Sequence, residues 1–100
     1  MAQRSGVRVV VDTRGLPAYA GALEAAMAGT RTGGDPRNRD YLAGHLESSA
    51  APEHEALCFD PQTSGGLLAA VTPEAATALE QAGWAPVGTV ESGEARLVLA

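Results

Sequence analysis

A chain of 100 residues suits one domain with a modest core, and much of its 45% apolar content is alanine, with one Phe and one Trp. The net charge of −5 argues against nucleic acid as a partner, because counterion release needs a basic surface. All seven cations are arginines, so lysine-based phosphate binding, Schiff-base chemistry and a lysine general base are excluded, whereas forked contacts to phosphate or carboxylate are not.

"VRVVVD" reads as a strand with Val7, Val9 and Val11 on one face. Residues Ala18 to Ala28 read as a helix whose stripe is Tyr19, Leu23 and Met27, closed by Gly29. Gly33-Gly34 forms a turn, and Asp35-Pro36 reads as N-cap and first residue of a helix running to about Leu46. The apolar side of that helix would be Tyr41, Leu42, His45 and Leu46. "ESSAAPEHEA" reads as loop, "ALCF" as a short strand, and "GLLAAV" as a buried strand after the turn "DPQTSGG".

Thr72, Pro73 and Glu74 then make a helix start, with Ala75, Leu79 and Ala82 on one face and a stop near Gly83. "APVGTVE" and "ARLVL" read as strands, and "SGE" between them as a hairpin turn. The expected fold is α+β: a small mixed or antiparallel sheet with helices packed on one face. The chain starts almost directly on a strand, as a piece of something longer would. One cysteine allows no intrachain disulfide, and no apolar run approaches membrane-spanning length. The expectation is a cytoplasmic protein that engages neither membrane nor nucleic acid.

Candidate chemistry concentrates in a few places. Cys58 has His54 four residues earlier but acidic neighbours at Glu55 and Asp60, so it reads as a small packed residue, not a thiolate. Ser64 lacks the G-x-S-x-G elbow and a visible His-Asp pair. His45, His54, Cys58 and Asp60 are zinc-type ligands without a closely spaced ligand pair. No catalytic or metal-ligating residue is assigned.

Two glycine loops are the better candidates. Gly33 and Gly34, with Arg31, Arg37, Asn38 and Arg39, offer backbone amides and cations to phosphate. Against this, Asp35 would repel an anion and occupy the free amides. In "DPQTSGG", Thr63 and Ser64 offer hydroxyls, and Gly65 and Gly66 permit close approach of a ligand or another backbone. A tight turn with local side-chain bonds explains the same residues, and spacing leaves both readings open.

"DPQTSGGLLAAV" resembles the C-terminal signature of selenophosphate synthetase (selenide, water dikinase). "GVRVVVD" followed by "LP", then "GGDPRNRDYL", "DPQTSGGLL" and "PVGTV", is similar to that family's C-terminal domain in order and spacing, from about Met1 to Leu99. Enzymes of the aminoimidazole ribonucleotide synthetase type share the two-domain plan.

The resemblance implies production of selenophosphate from selenide and ATP, with AMP and orthophosphate released and magnesium required. It also implies a homodimer in which this domain partners an N-terminal ATP-binding domain. In that family the catalytic Cys or Sec, its lysine partner and most metal-holding aspartates belong to the N-terminal domain. A "TDVTGFGLLGH" segment is expected just before Met1. Cys58 does not match the reactive position. The implied expectation is a chain that is inactive alone and binds neither ATP nor magnesium strongly. The alternatives are a non-catalytic anion-binding or dimerisation module, or the C-terminal domain of a related ATP-dependent enzyme.

Overall fold

The β-branched run at the N-terminus forms strand β1 (Arg8–Val11), and β1 lies inside the sheet, not at its edge. The structure is a computed structural model that describes residues 1–62 and 64–100. In chain order the elements are α1 (Ala2–Ser5), β1, α2 (Ala22–Met27), α3 (Asp35–Leu42), β2 (Leu46–Ser48), α4 (Pro52–Phe59), α5 (Pro73–Gln81), β3 (Gly88–Glu91) and β4 (Arg96–Leu99). The fold is α+β, with a mixed four-stranded sheet of order β2-β4-β1-β3.

Strand β1 pairs antiparallel with β3 and parallel with β4, and β2 pairs parallel with β4. The register places Val9 opposite both Val90 and Leu97, and Leu46 opposite Leu97. Alternation along each strand therefore collects apolar residues on one side. On the other side Arg8 reaches Glu47 at 3.1 Å and Glu91 at 4.0 Å, while Arg96 reaches Glu47 at 3.4 Å. The apolar side borders a cavity of about 280 Å³ shared by Val9, Val11, Leu97, Leu42, Leu68 and Met1.

Several sequence expectations are corrected. β3 and β4 do not pair as a hairpin, because β1 separates them. "ALCF" is the end of helix α4: Pro52 in its first turn, followed by Glu53 and Glu55, is a helix start. That helix turns Ala56 and Phe59, three residues apart, into the interior. "GLLAAV" forms no strand, and Leu67 is 84% exposed. An apolar run gains strand geometry only with a ladder partner, and this one joins neither outer strand.

Helix α2 is shorter than expected and buries Ala26, whereas Tyr19 and Met27 are exposed. Small alanines let α2 approach α4 closely, while Tyr19 and Met27 of the expected stripe stay in solvent. Helix α3 ends at Leu42, leaving His45 in a turn and Leu46 in β2. A four-residue helix, α1, precedes β1. Helix α5 begins as expected: the Ala75 amide donates to Thr72 Oγ1 at 3.4 Å, and the backbone amide of Glu74 and Thr72 hold the Glu74 carboxyl below its ordinary range. It ends before Gly83, yet none of its residues is buried.

The core is small. Phe59 and Leu99 are the largest fully buried side chains among the described residues, joined by Ala26 and Ala56. Buried Thr13 is satisfied by its hydroxyl donating to the Ala100 carbonyl at 2.8 Å.

Gly88 is required by close approach: a Cβ there would overlap the carbonyl oxygen of Val10 on the neighbouring strand. We expect Gly88→Ala to cost ~1–3 kcal/mol in chemical denaturation, the usual scale of overpacking. Gly33→Ala, with open space around it and no left-handed backbone, serves as the neutral comparison.

Candidate functional site

The two glycine loops, distant in sequence, meet in space. Gly34, just before α3, sits against Pro61, just after α4, and a Cβ on Gly34 would come within 2.7 Å of the Pro61 ring. One turn further along α3, Asn38 Nδ2 donates to the Phe59 carbonyl at 2.8 Å. That carbonyl belongs to the last turn of α4, where helix acceptors have no partner within the helix.

Arg39 completes the junction. Its guanidinium donates to Asp35 at 2.8 Å and pairs with Glu55 of α4. It also stacks over the Phe59 ring, 4.1 Å from the centroid. Asp35 is buried, so this pairing satisfies a carboxylate that would otherwise be stranded away from water. The expected cap at Asp35 is therefore corrected. Gly34 is the N-cap residue, no side chain caps α3, and the Asp35 carboxylate turns to Arg39 four residues on.

The arginines thus have unequal roles. Arg31 donates to the carbonyls of Ala26 at 2.8 Å and Thr30 at 2.7 Å. Arg39 is committed to Asp35 and Glu55. Arg37 is exposed and has no ion pair among the described residues. Beside this junction a cleft of about 180 Å³ runs between α2 and α4, lined by Ala22, Ala26, Arg31, Asp35, Ala56 and Asp60.

The remaining candidates lie apart from it. Gly33 is exposed, and so are Ser64, Gly65 and Gly66. Gly65 packs against the Gln62 side chain of its own loop. Thr63 lies outside the described residues. Among the described residues no three His, Cys, Asp or Glu side chains gather into a metal-holding group. The Cys58 thiol donates to the His54 carbonyl at 3.5 Å, and burial, then Glu55, pushes its pKa up, which disfavours thiolate.

Sequence reasoning missed the Asp35–Arg39–Glu55 cluster. Its local half was signalled by opposite charges at i and i+4, but Glu55 could be joined to it only by folding.

Comparison with known proteins finds relatives across most of the chain. The chain is 38% identical over 80 residues to a selenide, water dikinase of Treponema denticola, covering 79% of this chain and 23% of that protein. It is 42% identical over 80 residues to the one from Caldanaerobacter subterraneus, with the same coverage. It is 44% identical over 75 residues to the one from Escherichia coli (strain K12), covering 75% of this chain and 21% of that protein. This chain resembles selenide, water dikinase. The chain spans less than a quarter of the length of the curated relatives it matches. No protein-family model matches it.

Ser48, then Arg39, holds the Glu55 carboxyl below its ordinary value of 4.5. A carboxylate depressed in the folded state stabilises the fold above its unfolded pKa, and that contribution fades as pH falls through the folded value. Acid titration followed by circular dichroism should show stability falling below about pH 4.5, with a shallower dependence in Glu55→Gln. Arg39→Leu should cost ~1–3 kcal/mol at neutral pH, because buried Asp35 loses its partner.

Proposed function

We propose that this chain serves as the C-terminal domain of a selenophosphate synthetase. In this reading it forms one wall of a site whose ATP, magnesium and reactive Cys or Sec are held by a separate N-terminal domain. The observation that carries the reading is identity of about two fifths to selenide, water dikinases across three quarters or more of the chain. The reaction would convert selenide and ATP to selenophosphate, AMP and orthophosphate in a cytoplasmic homodimer.

The chemistry of the residues supports a dependent role. Phosphoryl transfer needs metal ions and positioned cations around several negative oxygens. Here two of the three arginines near the glycine loops are engaged by the protein's own acceptors. The exposed Leu67, Leu68 and Val71 are apolar surface suited to a neighbouring domain.

Arg37 favours a second reading, an autonomous anion-binding module, because it is exposed and unpaired among the described residues. Calorimetry separates the two. The purified chain should give no binding heat with ATP, AMP or phosphate. Micromolar binding that disappears in Arg37→Ala would favour the module instead.

Purified chain incubated with ATP, magnesium and selenide should release no AMP above a blank. A chimera in which these residues replace the matching segment of the Escherichia coli enzyme should still form selenophosphate. A folded, dimeric and inert chimera would overturn the proposal, as would robust AMP formation by the chain alone.

A further inference from the structure

We infer that Asn38 is a positioning residue that anchors the exit from helix α4 and so holds Asp60, Pro61 and Gln62. Helix α4 ends at Phe59, and its final carbonyls need donors from outside the helix. No glycine or side chain within α4 supplies them, since the C-cap residue Asp60 is extended (φ −65°, ψ 125°). Asn38, on a different helix, donates to the Phe59 carbonyl instead. It acts as a helix cap delivered across the fold.

The loop leaves directly from this point. The Gln62 amide donates to the Asp60 carbonyl at 2.8 Å, folding the chain tightly about Pro61. Pro61 in turn rests against Gly34, where no side chain would fit without a shift. The loop is thus gripped twice by the start of α3: at its origin through Asn38 and at Pro61 through Gly34. Arg39 holds the same two helices together from Asp35 to Glu55, so the grip has a rigid base.

Its consequence is geometric. Pro61 stands two residues after Phe59, and its φ is set by the ring, so only Asp60 is free to bend between the fixed carbonyl and the seated proline. Fixing Phe59 and seating Pro61 against Gly34 therefore hold Asp60, Pro61 and Gln62, beyond which Ser64, Gly65 and Gly66 are exposed. Asn38 touches none of those residues and works through the end of α4. Its importance for turnover rests on the proposed function. The grip itself does not.

Asn38→Asp keeps the shape and removes the amide donor at neutral pH. Backbone amide exchange on the labelled chain reads the grip. In Asn38→Asp, exchange at Asp60 and Gln62, whose amides are bonded to the Leu57 and Asp60 carbonyls, should accelerate at least tenfold, while Val10 and Val98 in the sheet keep their wild-type rates. Equal acceleration in loop and sheet would reduce Asn38 to a general stabiliser, and unchanged loop rates would remove its role; either overturns the inference. The same substitution in the chimera with the Escherichia coli enzyme should lower kcat about tenfold and leave KM for ATP within about twofold, the pattern of a misaimed wall. Unchanged kcat there overturns the positioning role in turnover. An inert unsubstituted chimera counts against the proposed function, and amide exchange alone then decides the grip.

Discussion

The structure depends on where β1 lies. A strand from the start of the chain is inserted between two strands from its end, parallel to β4 and antiparallel to β3. Every backbone group of its central residues then finds a partner on one side or the other, which no edge position provides. The insertion is extended beyond the strands: the Asp12 amide donates to the Val87 carbonyl, the Thr13 amide and hydroxyl to that of Ala100, and the Ala100 amide to that of Val11. The two ends of the chain thus form one unit, and β2 joins only through β4. Such pairing is non-local and carries the loop-closure cost of bringing distant residues together.

The sheet and the helices solve different problems. The sheet separates charge from apolar surface by alternation, with arginine–glutamate pairs on one face. Helices α2 and α3 each pack on α4 through small residues and a single buried ring. Alanine brings helix backbones close but removes little apolar area from water, so the contact relies on Phe59 and on the paired charges around it. Arg39 joins these roles, since one guanidinium covers the aromatic face and pairs with two carboxylates. That economy leaves large apolar side chains, among them Leu67, Leu68 and Trp84, outside the core.

The two glycine loops illustrate how a motif and its setting divide the information. Each is recognisable from its residues, and "DPQTSGG" pointed to the family that the relatives then supported. Their adjacency was not recognisable. Asn38 read as a possible ligand to phosphate, yet its amide is spent on a helix carbonyl. Arg39 read as part of a cation cluster, yet its charge is spent on carboxylates. Residues that look available in a sequence are often consumed by the need to satisfy buried polar groups.

Local chemistry by itself determined the strands of β-branched residues, the Thr72-Pro73 helix start, the absence of lysine chemistry and the resemblance carried by "DPQTSGGLLAAV". Each of these depends on residues close in the chain, where capping, backbone preference and composition act directly. Only the tertiary structure decided that "ALCF" ends a helix, that "GLLAAV" stays outside the sheet, and that β1 separates the two strands expected to form a hairpin. Those outcomes turn on partners far along the chain: a strand exists where another offers its hydrogen bonds, and a helix carbonyl is capped by whichever donor folding brings to it.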